Sequence, residues 1–436
     1  MSSIAAKDRK VLSELAKRFR EISEKDEMNT RKKLWRALHD LKPQRPMILF
    51  EPFSLEGYLS DYKFQCSDPI LKNVETRLIY CIRQYEQLGD DIVIEPYFRI
   101  AWWNEGFTVT GKQFGDIRVE EHKAESPSMA YLSNFPVKTP DDLKRLSHRV
   151  FKIDRGPSLE MKVKLEDIFK DTLEVRLGNF DNFDPTNGNQ PFTGNNFIGI
   201  TWDVFKLIGA ENMMMWAYDH PEALHSLCKF LAQDRKNFYE FMLKEKLLDF
   251  NTDNQFAGPS SYGYVSSLPS PGSGKDIIFK DLWCWPESQE AQPFSPAMFN
   301  EFFLPYIAEI ANMFGLSYYG CCERIDDRFE HISGAIKNLR TVSVSGWSNQ
   351  EKMGQLLGNK YVYSKKPVPA YVSTETANWD LVEEEAKQTR DATKNGCLEI
   401  IFRDAYSLHC TPERARQWVR LWKKIIGIDL KNIAKN

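Results

Sequence analysis

Two adjacent thiols and a carboxylate, Cys321-Cys322-Glu323, stand directly after the aromatic run that ends in Tyr318-Tyr319-Gly320. Sulfur ligands combined with oxygen or nitrogen suit a soft divalent ion, zinc above all. Adjacent residues of a strand point to opposite faces. The spacing therefore predicts Cys322 at a metal and Cys321 packed behind it, unless the chain bends there. A second group follows the apolar run 398–402: Asp404, Tyr406, His409 and Cys410, just before a helix opened by Thr411-Pro412-Glu413. Asp404 or Cys410 would complete a mixed ligand set with Cys321, Cys322 and Glu323. The plainer alternatives are equally concrete, since free cysteine is among the most buried residue types and His409 beside an N-cap threonine reads as ordinary surface.

Other charged residues follow apolar runs in the same way. Glu51 and Glu95 each end an early run and each precede a proline, where a carboxylate would orient a cation, move a proton or anchor a loop. Arg99 and Lys366 are candidates to hold an anionic group, and Asp404 doubles as a proton donor or acceptor. Tyr97, Trp283, Trp285, Trp347 and Tyr406 lie close enough to the same run ends to line an apolar or aromatic substrate, though barrels also use aromatics for packing. The polar segment 179–196 is dense in Asp and Asn, but its spacing is not that of an EF-hand, and a polar loop in a pocket wall is the simpler reading.

Something must bring these residues together. From Met47 onward, short apolar runs alternate with helical stretches, at 47–50 and 92–94 in the first half and at 277–283, 316–319, 341–345, 361–364 and 398–402 in the second. That alternation predicts βαβ units and a parallel sheet. The economical solution at this length is α/β, a (β/α)8 TIM barrel with an N-terminal helical extension and long βα loops; an open doubly wound sheet is the alternative. In a barrel every strand end delivers its following residues to one face, which is why the positions above were singled out. Residues 1–45 read as a helical cap and 46–436 as the barrel. Segments 101–170 and 251–275 are long enough to be lids or substrate loops.

Composition narrows the partners. The 436 residues carry a formal charge of -3 with both signs interleaved, which argues against nucleic acid. No segment has the uninterrupted apolar length of a membrane span and no secretory leader opens the chain, so a cytoplasmic location is expected. Eight cysteines are too sparse for a disulfide scaffold.

Several segments resemble the uroporphyrinogen decarboxylase-like superfamily, in its anaerobic bacterial methyltransferase-like branch. They are Asp281-Leu282-Trp283-Cys284-Trp285-Pro286-Glu287, Phe294-Ser295-Pro296, Leu304-Pro305-Tyr306, Tyr319-Gly320-Cys321-Cys322-Glu323, Lys366-Pro367-Val368-Pro369-Ala370 and Asp219-His220-Pro221-Glu222-Ala223-Leu224. The resemblance implies a TIM barrel that moves a methyl group from a small methylated donor to a corrinoid carried by a partner protein, with zinc as cofactor. It matches Cys322 to the family's strand-end cysteine. Two departures stand out: Gly320 occupies the place of the family's histidine, and the loop Glu51-Pro52-Phe53-Ser54-Leu55-Glu56-Gly57 has no arginine and two acids where true decarboxylases hold propionates. A polycarboxylate would be repelled there. The alternatives are a lyase or decarboxylase acting on a small carboxylated compound, and a non-catalytic binding barrel. A homodimer is left open.

Overall fold

The computed structural model describes residues 4–51, 58–102, 113–123, 131–178, 196–405, 409 and 411–428. The amphipathic helices α1 (Ala6–Ser23) and α2 (Asp26–His39) come first. Their apolar stripes, with Leu12, Ala16, Trp35 and Leu38 fully buried, share one core with β1 (Met47–Phe50), α3 (Pro69–Arg83) and β2 (Tyr97–Ala101). The Trp35 indole donates to the Asp91 carbonyl at 2.9 Å, and the Arg31 guanidinium to the Ile92 carbonyl at 2.6 Å.

The chain continues through α4 (Gly156–Phe169), β3 (Glu174–Gly178), the short β4 (Phe197–Ile198), α5 (Ile200–Asp219) and α6 (Pro221–Lys244). A hairpin of β5 (Phe256–Gly258) and β6 (Ser261–Tyr262) follows. Then βα units repeat regularly: β7 (Trp283–Pro286), α7 (Pro296–Phe302) with α8 (Leu304–Ala311), β8 (Leu316–Tyr319), α9 (Phe329–Ala335), β9 (Leu339–Val344) and α10 (Gln350–Leu357). The last units are β10 (Val362–Lys365), α11 (Trp379–Ala392), β11 (Cys397–Phe402) and α12 (Pro412–Ile426). Pro at the first turn with a Ser or Thr cap starts α7 and α12 cleanly.

Seven strands form one parallel sheet in the order β1-β11-β10-β9-β8-β7-β4. The first and last strands of the repeat are neighbours, in register from Met47 opposite Glu399 to Phe50 opposite Phe402. Alternation sends one face of each strand to the helices and the other inward. Phe50 and Phe402 stack at 4.6 Å and meet Trp418 of α12, while the Tyr318 hydroxyl donates to Ser364 Oγ at 2.8 Å on the opposite face.

Strands β2 and β3 pair with each other but are joined to the larger sheet by no ladder among the described residues. The expected closed ring is thus incomplete as a hydrogen-bonded barrel, and side chains span the gaps. On the free edge of β1, the Ile48 amide donates to Asp91 and the Phe50 amide to Asp90, at 2.8 and 3.0 Å. On the other side, the Asn251 carboxamide bonds both backbone groups of Trp283 at 3.0 Å. Asp249, two residues earlier, reaches Arg99 of β2 at 3.4 Å.

The strand expected at 92–94 is not one. Its backbone is held by side chains instead, with the Val93 amide donating to the Tyr262 hydroxyl at 3.3 Å, and the strand begins only after Pro96. The run expected at 277–283 likewise becomes a strand only at Trp283. No helix among the described residues is long and apolar enough to cross a membrane.

Candidate functional site

The turn after β8 decides where the thiols go. Gly320 takes φ 97°, a conformation open to glycine and strained for other residues. A Cβ there would also sit 3.1 Å from Ser343 Cβ. Any residue with a side chain at this position would be strained by the backbone and crowded by Ser343. The same turn brings Cys321 and Cys322 to one side, with sulfurs 3.6 Å apart, and corrects the expectation that they would point to opposite faces. The Cys322 thiol donates to Asp404 Oδ2 at 3.4 Å, so the ends of β8 and β11 meet. Hydrogen bonding to Cys322, then burial, raises the Cys321 thiol well above its ordinary range.

Glu323 faces backbone. Its carboxylate accepts from the Cys321 amide at 2.7 Å and the Ser288 amide at 3.0 Å, clamping the thiol turn to the end of β7. Among the described residues, no group of three or more His, Cys, Asp and Glu side chains is arranged to hold a metal ion. Cys410 and Tyr406 lie outside the described residues.

A second cluster lies beside the first. Arg403 Nε sits 3.6 Å from Glu51 Oε2 and 3.5 Å from Asp404 Oδ1, joining the ends of β1 and β11. The Ser260 hydroxyl, from the β5–β6 hairpin, donates to Glu51. Burial raises the Glu51 carboxyl even with Arg403 close by. Lys366, just past β10, is 6% exposed and donates to the Pro259 carbonyl at 2.9 Å and Ser364 Oγ at 3.1 Å. Burial pushes its ammonium down to about 7, with Arg403 acting in the same direction and Glu399 against it.

A third group is acidic. Glu287, Glu290 and Glu323 are all raised, chiefly by burial, Glu287 also by the neighbouring Glu290 and Glu323, and Glu290 to about 7. Glu287 Oε2 accepts from the Gln289 amide at 2.8 Å, while Oε1 has no hydrogen-bond partner among the described residues.

Several expected residues sit elsewhere. Glu95 precedes β2 and is bound to Lys32 and the Tyr264 hydroxyl, each at 2.5 Å. Tyr97 and Arg99 lie within β2 and both bind Asp253, at 2.5 and 2.9 Å. The strand starts at Tyr97 and not at 92–94, so all three belong to a polar network between β2 and the 249–264 segment rather than to a strand end. Trp283 opens β7 with its indole on the Gly263 carbonyl at 3.0 Å, whereas Trp285 donates to the Gly320 carbonyl at 2.9 Å and so backs the thiol turn. Trp347, after β9, is 72% exposed and stands on the rim.

Arg403 and Ser260 were not anticipated. Arg403 was legible in principle, being one residue past a strand and next to Asp404. Ser260 carries no local signal, because its partner Glu51 lies 209 residues away.

No family model and no curated protein matches the sequence. Among solved structures, a methyltransferase from Methanosarcina mazei is similar, with a TM-score of 0.50 and 12% identity, covering 90% of this chain and 97% of that one. At such identity the likeness concerns the fold, and it agrees with a barrel-like α/β architecture.

Proposed function

We propose that this chain is a methyltransferase that moves a methyl group from a small methylated donor to the cobalt of a corrinoid protein. The observation that carries this reading is the meeting of Cys322 with Asp404, from two strand ends, in a fold similar to that of a methyltransferase. The seven-stranded parallel sheet and the separate β2–β3 pair are read together as the strands of a barrel-like fold, with Asp90 and Asp91 on the open edge of β1 and Asn251 on Trp283 beside β4.

Zinc fits this site in donor type but not yet in number. Tetrahedral zinc with bonds of about 2.3 Å to sulfur spaces its ligands by roughly 3.7 Å; the two sulfurs stand 3.6 Å apart, and Asp404 lies 3.4 Å from one of them. The described residues do not assemble a full ligand set, so no step is assigned to the metal. What the chain itself offers is acid. Glu287 beside the thiol turn and the partly exposed Glu290 hold their protons toward neutral pH, and protonating the leaving heteroatom of the donor would make it a better leaving group.

The test is spectroscopic. Purified protein, methylated amines or methoxylated aromatics, and a reduced corrinoid should yield the methyl-cobalt absorption. Cys322→Ser should lower the rate by about 100-fold, the upper range for loss of a group that supports a metal site. Absence of methyl-cobalt with every donor, before and after zinc is added, would reject the proposal.

A further inference from the structure

We infer that Lys366 is a carbonyl-capturing amine, which gives this barrel mouth a covalent chemistry for small ketones and aldehydes, keto acids included. The contacts of Nζ suit a neutral amine. Its two hydrogen bonds go to neutral acceptors, the Pro259 carbonyl and Ser364 Oγ, and no carboxylate lies within ion-pair distance of it among the described residues. An amine with two N–H bonds so engaged keeps its lone pair for attack; an ammonium has a third proton left to satisfy in a buried site. The Tyr318 ring, its centroid 5.4 Å from Nζ, acts the other way and favours the charged form, as Glu399 does.

The surrounding charges agree. Lys366 is influenced by Glu399 on β11, Arg403 past its end, Glu51 past β1 and Cys321 past β8. Burial and Arg403 outweigh the acids and bring it to about 7. Desolvation beside a second cation is a known route to a nucleophilic lysine. Arg403, between Glu51 and Asp404, is the cation nearby that opposes protonation of Lys366.

The chemistry balances with groups present. The Lys366 lone pair bonds to the carbonyl carbon as the carbonyl π pair moves to oxygen, which takes a proton from nitrogen. A second proton, from the buried Glu51 carboxyl, lets that oxygen leave as water while the nitrogen lone pair forms the iminium. The product is an electron sink suited to loss of carbon dioxide from a β-keto acid or to cleavage of an adjacent carbon–carbon bond.

Reductive trapping tests this on the intact chain. Pyruvate with borohydride at pH 7, followed by peptide mapping, should place a single adduct on the peptide containing Lys366, with trapping that rises through a midpoint near 7. Lys366→Arg should carry no adduct. The wild-type map does not depend on the variant folding, and a map in which Lys366 is unmodified, or no faster than surface lysines, overturns the inference. Methyl-cobalt formation plays no part in the readout, so this result and that of the methyl-transfer assay stand apart.

Discussion

Gly320 sets the direction of two side chains by having none of its own. Its φ of 97° lets the chain double back after Tyr319 and lay both sulfurs on one side. Gly320→Ala should cost about 1–2 kcal/mol from the left-handed backbone alone, with a further cost from the close approach to Ser343, and denaturant unfolding would measure it. A fall of less than a few tenths would mean that the turn rearranges freely. Arg403 holds a comparable position among the charges, lying between Glu51 past β1 and Asp404 past β11. At this scale the sequence was readable where neighbours in the chain are neighbours in space. Cys321, Cys322 and Asp404 could be picked out because each follows its own strand directly. Ser260 could not, since nothing near residue 260 announces Glu51.

Elements at the two sides of the sheet end in side chains rather than in further strands. Asn251 acts as a one-residue substitute for a ladder, taking the amide of Trp283 and giving to its carbonyl. Asn251→Ala would leave both buried groups unpaired, and a loss of about 2–6 kcal/mol follows from the usual cost of about one to three for each. Faster hydrogen exchange at the Trp283 amide would localise the effect; unchanged exchange would show that another group takes over. The late strands were legible because period and length agree there: 316–319 and 398–402 fall on β8 and β11 with at most a residue's difference. The run 92–94 has the same apolar character, yet its amides meet Tyr262 and Met28 from distant segments. Periodicity reports burial, and burial alone does not make a strand.

Across the whole molecule, the buried ionisable groups give stability a definite pH dependence. Glu290, raised from 4.5 to about 7, holds its proton in the folded chain while the unfolded chain has lost it. Stability from this group therefore falls as pH rises between those values. Asp90, raised from 3.8 to about 6, acts in the same direction over its own window. Lys366, lowered from 10.5 to about 7, does the reverse above neutrality, its stabilisation growing as pH rises toward 10. Glu290→Gln should flatten the decline between pH 5 and 7, measured as the urea midpoint at each pH; an unchanged slope would assign the decline to other groups. The N-terminal helices belong to this whole, with Trp35 fully buried in the core that holds β1. Trp35→Ala should cost about 3–5 kcal/mol by thermal or chemical unfolding, as for other large buried aromatics.

The register between β1 and β11 has a consequence during synthesis. Met47 and Glu399 are partners about 350 residues apart, a span that makes late closure the rule for such topologies. A nascent chain leaving the ribosome presents the edge of β1 for most of its translation time, with Phe50 still waiting for Phe402 and Trp418. A chain stopped before residue 397 would leave the edge of β1 that pairs with residues 399–402 without its partner.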